Sequence, residues 1–151
     1  MRVWEHTLTV DASVGNGNQL VGIGIVVQER SVSRRRGRVV DRITECHQGI
    51  RPGMAEEFAV LRALEHAKER GFSRVKIRSD YNQMRRALHE QHRRQSVPSG
   101  TGLRRRILEL ARSFEYVHFA WVPRRKNQQA HVLAREARRH SGTGSVRDAE
   151  S

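Results

Sequence analysis

The stretch Leu8-Thr9-Val10-Asp11-Ala12-Ser13 decides how the chain is read. It is an apolar strand that ends by presenting a carboxylate, and a buried ionised carboxylate is costly unless it is paired or bound to a metal. An aspartate at the end of a core strand therefore directs attention to a cation and to further acids. The chain supplies Glu56 and Asp80, and His131 as a fourth polar position.

Outward from that strand, residues 3 to 12 alternate loosely, and Ser13-Val14-Gly15-Asn16-Gly17-Asn18 is the densest turn signal in the chain. Leu20 to Val27 is β-rich, with Gly22 and Gly24 where neighbouring backbone can approach closely. Arg34-Arg35-Arg36-Gly37-Arg38 reads as a charged turn, and Val39 to Cys46 completes a meander. Arg51-Pro52-Gly53 breaks the chain before a helix over Met54 to Arg70, whose apolar residues Phe58, Leu61 and Leu64 recur at helical spacing and which Gly71 ends at the C′ position. Arg74 to Ser79 sets Val75, Ile77 and Ser79 against Arg74, Lys76 and Arg78, a strand of period two that delivers Asp80 at its carboxyl end. A very polar helix follows over Tyr81 to Gln95, then a linker through Gly102, a helix from Leu103 to Phe114, a strand from Tyr116 to Val122 stopped by Pro123, and a closing helix with Asn127 as its N-cap. Residues 1–140 form one domain by this reading, and 141–151 a disordered polar tail. Three meandering strands followed by two that enter through helical crossovers predict an α/β fold with a mixed sheet.

At 151 residues the chain is long enough to bury about two thirds of its unfolded surface. Its lone Cys46 beside His47 falls short of the four ligands of a structural zinc site and suits a reducing compartment. No apolar run is long enough to span a membrane, and the first residues lack a signal-peptide core, so a cytoplasmic protein with no membrane association is expected. Twenty-nine basic residues against sixteen acidic ones leave a formal charge of +13, the footprint of a polyanion binder.

Ligands of open α/β sheets collect at the carboxyl ends of parallel strands, where Asp11 and Asp80 lie and where the helix opened by Glu56 must pack. Three carboxylates there repel one another unless a hard cation joins them, and paired divalent ions roughly 3.5 to 4 Å apart clamp phosphoryl displacements. Each acid also has an ordinary reading: Asp11 in an Asx turn, Glu56 in the favourable first turn of a helix, Asp80 as an N-cap with Gln83. By periodicity Glu57 is as good a candidate as Glu56.

These residues carry a resemblance. Val10-Asp11-Ala12-Ser13 with its Gly/Asn-rich turn and Gly22-Ile23-Gly24, Ala55-Glu56-x-x-Ala59, Val75-Lys76-Ile77-Arg78-Ser79-Asp80, and Trp121-Val122-Pro123-Arg124 with Asn127-x-x-Ala130-x-x-Leu133-Ala134 resemble, in order and spacing, a type I ribonuclease H. The resemblance covers the chain to about Ala137 and selects Glu56 over Glu57. It implies the ribonuclease H-like sheet of five strands, with strands 1 to 3 antiparallel and strands 4 and 5 parallel to strand 1, flanked by helices. It also implies cleavage of the RNA strand of RNA/DNA hybrids to 3′-hydroxyl and 5′-phosphate ends, with two Mg²⁺ or Mn²⁺ ions held by Asp11, Glu56, Asp80 and the position of His131. Nucleic-acid contacts are expected from Ser13, Asn16, Met54, Arg85, Arg86, Arg124 and Asn127, and no protein partner is implied.

Two departures from the family pattern stand out. His131 replaces the fourth carboxylate, which removes a negative charge and suits Mn²⁺ better than Mg²⁺. Pro52 and Gly53 stand where members often carry an asparagine that reads the nucleic-acid backbone, leaving recognition of the 2′-hydroxyl to backbone groups and to Met54 or Ser13. The rival readings are a catalytically weak nucleic-acid-binding module of the same fold and a nuclease of this fold acting on double-stranded RNA.

Overall fold

The computed structural model describes residues 4–15, 20–31, 37–81, 102–140 and 144–147. The arginine turn at 34–36, the helix expected after Tyr81 with Arg85, Arg86, Arg93 and Arg94, and Asn16 all lie outside the described residues.

The elements are β1 (His6–Val14), β2 (Leu20–Glu29), β3 (Arg38–Gln48), α1 (Ala55–Glu69), β4 (Arg74–Ser79), α2 (Gly102–Ala111), β5 (Tyr116–Trp121), α3 (Gln128–His140) and β6 (Gly144–Arg147). Sheet order is β5-β4-β1-β2-β3-β6. β1, β2 and β3 are antiparallel, whereas β4 is parallel to β1 and β5 to β4. The expected five-stranded mixed sheet is present.

One short strand is added to it. Residues from 141 onward were expected to form a disordered polar tail, yet Gly144–Arg147 pairs antiparallel with Asp41–Thr44 of β3. That pairing uses the backbone edge of β3, so it needs no apolar pattern in the added segment.

α1 and α3 pack on opposite faces of the sheet. Leu8, Val10, Ile23, Ile25 and Ile77 form the core face with Ala55, Ala59, Ala63 and Ala67 of α1, and Ile107, Leu108 and Ala111 of α2 close it from behind. The alanines recur every fourth residue, which gives α1 a narrow ridge that can lie close to the sheet. Gly71 has φ of 78°, as its expected C′ role requires.

On the other face α3 crosses β2 at Gly22 and Gly24. A Cβ on Gly24 would lie 2.3 Å from the Ala130 carbonyl oxygen, and one on Gly22 would lie 2.0 Å from that of Ala134. Helix and strand backbones are in direct contact there, the close approach expected of these glycines.

A buried ionic cluster ties β3 to α1. Glu45, 4% exposed, accepts hydrogen bonds from Arg62 Nε and Nη2 at 2.7 Å each, and its oxygens also meet His47 and His66. Burial pushes its carboxyl upward, but the hydrogen bonds from Arg62, His66 and His47 outweigh burial and hold it well below the usual range. A depressed carboxyl contributes stability above its unfolded value of 4.5, and this is lost as pH falls below that value. Glu45→Gln leaves the partly buried Arg62 guanidinium with Glu65, at 2.7 Å, as its remaining carboxylate, and a loss of about 3 kcal/mol is expected. Thermal unfolding of this variant beside Glu65→Gln, whose carboxylate is about a third exposed, checks it: equal midpoints would remove the cluster from the fold's supports.

Candidate active site

β1 runs past Asp11 to Val14, so the aspartate sits inside the strand instead of at its end. The cause lies in its two neighbours. The antiparallel ladder with β2 continues to Val14↔Val21, whereas the parallel ladder with β4 stops at Thr9↔Arg78. Continuing the parallel register places Asp11 level with Asp80, on the flank where β1 has lost its partner. The Ser79 hydroxyl accepts the Tyr81 N–H at 3.1 Å and turns the chain immediately after β4, which fixes Asp80 at that level.

Glu56 reaches the same point from the first turn of α1, after the 3-10 turn Pro52–Met54. Carboxylate oxygens of Asp11, Glu56 and Asp80 all lie within 4.8 Å of one another. Glu57 goes elsewhere: it is 7% exposed and accepts a hydrogen bond from Arg104 Nη2 of α2 at 3.0 Å. The choice between adjacent glutamates, open by periodicity, is made by geometry in favour of Glu56.

Asp11 and Asp80 raise the proton affinity of Glu56, and Asp80 that of Asp11. Burial first, then the charges of Asp11 and Asp80, push the Glu56 carboxyl up to about 8, against a smaller opposing effect of Arg124. Asp11 is also raised, chiefly by burial and then by Asp80, although the hydrogen bond from His131 opposes this. Glu56 Oε2 is buried and has no hydrogen-bond partner. Oxygen donors that converge, repel and leave a buried atom unpartnered fit a hard divalent cation.

His131, on the first turns of α3, meets Asp11 directly, with Nδ1 to Oδ2 at 2.9 Å. The glycines of β2 account for this: Gly24 is the cross-strand partner of Asp11, so the helix lying on Gly24 is also the helix above Asp11. The histidine stands at the edge of the acidic group, bonded to one of its members, with its side chain about 38% exposed.

The expected nucleic-acid contacts divide. Arg124 is 85% exposed, with Nε 3.7 Å from Asp80 Oδ2 at the lip of the site. Met54 is half-buried at the start of α1, its N–H bonded to the Arg51 carbonyl. Ser13 is 8% exposed, and its hydroxyl accepts from Arg138 Nε at 2.9 Å. Asn127 is 1% exposed, and its side-chain amide donates to the Val10 carbonyl at 3.1 Å, so it positions α3 against β1, while its Oδ1 is buried without a partner and does not cap the helix. Only its carbonyl plays the cap's part, accepting from the His131 N–H. Arg138 escaped the sequence reading because nothing local links it to Ser13, 125 positions earlier.

Residues 9–137 match the model of the reverse transcriptase-like family. Comparison with curated protein sequences finds no match. Solved structures share the fold throughout. The ribonuclease H1 of the halophilic archaeon Halobacterium salinarum is 24% identical, with TM-score 0.70 over 87% of this chain and 96% of that one. The N-terminal ribonuclease H domain of a Mycobacterium tuberculosis protein, solved as a maltose-binding-protein fusion, is 19% identical, with TM-score 0.70 over 92% and 96%. LC11-RNase H1, crystallised with an RNA/DNA hybrid, is 20% identical, with TM-score 0.70 over 91% and 99%. With a family match running from Thr9 on β1 to Ala137 on α3, and so enclosing all three acids, the chain belongs to the reverse transcriptase-like, ribonuclease H-like family.

Proposed function

We propose that this protein is a divalent-metal-dependent endoribonuclease that cuts the RNA strand of RNA/DNA hybrids and leaves 3′-hydroxyl and 5′-phosphate ends. The observation that carries the reading is the convergence of Asp11, Glu56 and Asp80, with a buried oxygen of Glu56 unpartnered. Family membership and a neighbour bound to an RNA/DNA hybrid support the substrate class.

Asp11, Glu56 and Asp80 would hold the metal, with His131 beside them. When bound, Mg²⁺ or Mn²⁺ supplies charge neutralisation at the scissile phosphate and a more acidic water. The chain's own groups do the rest. Asp11, the one of the three acids bonded to His131, orients that imidazole through Nδ1. Arg124 at the lip can leave Asp80 for an incoming phosphate, since its side chain is mostly in solvent. The basic excess draws the polyanion to the cleft.

Cleavage of a labelled hybrid in Mg²⁺ and in Mn²⁺, with Asp11→Asn as the control against contaminating nuclease, tests the reading. Binding without cutting in either metal would leave a binding module, and preferential cutting of double-stranded RNA would change the substrate. His131→Asp restores a fourth acid, so the ratio of Mn²⁺ to Mg²⁺ rates is expected to fall severalfold. An unchanged metal ratio would remove His131 from the metal site.

A further inference from the structure

The sheet face opposite α1 is only partly covered by the described helices. α3 lies over Gly22 and Gly24 of β2, while the outward row of β4, Arg74, Lys76 and Arg78, continues beyond it. A groove of about 520 Å³ runs between that open face and the start of α3. Lys76 and Arg78 lie in its floor and Arg125 and Lys126 in its wall, and no carboxylate lines it among the described residues.

Three further features of the groove favour an anion. Lys76 Nζ stands 4.3 Å from the centroid of the Trp4 ring, which is itself stacked on His118, so a cation and an aromatic face share one spot. Burial, and then the charge of Arg78, depress the Lys76 ammonium, so its neighbourhood lacks compensating negative charge. The start of the 13-residue α3 supplies the second polarity: Asn127 turns its amide to Val10 and its Oδ1 has no partner, so its side chain caps none of the N–H groups that open the helix. In the floor the Thr9 hydroxyl, 6% exposed, has no hydrogen-bond partner.

We propose that this groove is a second nucleic-acid site, which holds the phosphodiester backbone of a strand leaving the three-acid centre. The 3-10 turn Arg124–Lys126 joins the two places: Arg124 meets Asp80, and the next two residues line the groove. The proposal rests on the nuclease reading for the identity of the strand, but binding in the groove is separable from cutting.

The experiment uses Asp11→Asn protein, which leaves the strand intact, and a labelled hybrid long enough to reach both sites, followed by anisotropy over a salt series. Adding Arg125→Gln with Lys126→Gln is expected to weaken binding about tenfold and to lower the slope of log K against log salt by about 2, since each lost phosphate contact removes roughly 0.9. Arg135→Gln with Arg139→Gln removes the same charge from the exposed side of α3 and is expected to change affinity less than about twofold. In a Trp121→Phe background Trp4 is the one remaining tryptophan, and its emission should respond to the hybrid. Equal effects of the two arginine-bearing pairs, or a groove pair that binds like its parent, would overturn the proposal. If native protein cuts no hybrid while the groove pair still loses affinity, the nuclease reading falls and the second site stands.

Discussion

Asp11→Asn is expected to lower hybrid cleavage by at least about a thousandfold and, at the same time, to raise the melting temperature of the metal-free protein. The first effect follows from position: Asp11 is the acid in contact with His131 and within reach of both Glu56 and Asp80, and loss of a central electrostatic group costs this much or more. The second follows from repulsion. Without a cation the three acids oppose one another in a buried setting, and neutralising one should recover about 1–2 kcal/mol, roughly 3–6 °C for a chain of this length. The sign can be checked by pH. Glu56 binds its proton up to about 8 in the folded protein, against 4.5 when unfolded, so between those values the native state holds more protons and stability falls as pH rises. Metal reverses this by displacing the proton. At pH 7 native protein should release roughly one proton on binding Mn²⁺, measurable by calorimetry in buffers of different ionisation enthalpy, and its melting temperature should climb with metal concentration. An Asp11→Asn protein that melts below the native one in chelator, or that still cuts at the native rate, would end the reading of these acids as a metal centre.

How much of this was legible in the chain depends on whether the signal is local. The alternation around Asp80 and the β-rich run with Gly22 and Gly24 are written in consecutive residues, and both sit where their patterns place them. Glu56 and Glu57 are adjacent in one helical turn, so no periodicity distinguishes them; Arg104, 47 positions after Glu57, does. Asn127 reads as a cap because asparagine favours that position, but its amide nitrogen is fixed on the buried Val10 carbonyl of β1, a partner 117 positions away, and in that orientation its Oδ1 has no hydrogen-bond partner and caps nothing. Asp11 looked like a strand end because a charge closes the apolar run, whereas the strand ends where its ladder with β2 ends. The short strand Gly144–Arg147 carries no pattern of its own, since the β3 edge specifies it. The basic groove is assembled from β1, β2, β4 and the approach to α3: Lys76 and Arg78 alternate on β4 and Arg125 and Lys126 are consecutive, but nothing local in the sequence brings the two pairs together.

Gly24→Ala is expected to destabilise the protein by about 3 kcal/mol and to reduce activity well beyond the fraction unfolded. The added methyl would lie 2.3 Å from the Ala130 carbonyl oxygen and 2.7 Å from both the Ala134 nitrogen and Leu133 Cβ. Two of these are helix backbone atoms that cannot rotate away, so the whole of α3 must lift from β2. Overpacking of this kind ordinarily costs about 1–3 kcal/mol, and the upper end applies because the helix cannot move without strain on the Asn127 bond to Val10. A melting temperature lower by roughly 10 °C should result. The functional loss has a separate cause. Gly24 is the register partner of Asp11, so the displaced helix carries His131 away from the carboxylate it now meets at 2.9 Å. Assays well below the melting point isolate that component, because there nearly all of the variant remains folded. Gly53→Ala supplies the comparison, since a Cβ at Gly53 meets nothing within 4 Å and its melting temperature should stay near the native value. If Gly24→Ala melted with Gly53→Ala, α3 would not rest on β2 as described, and the contact that brings His131 to Asp11 would need another cause.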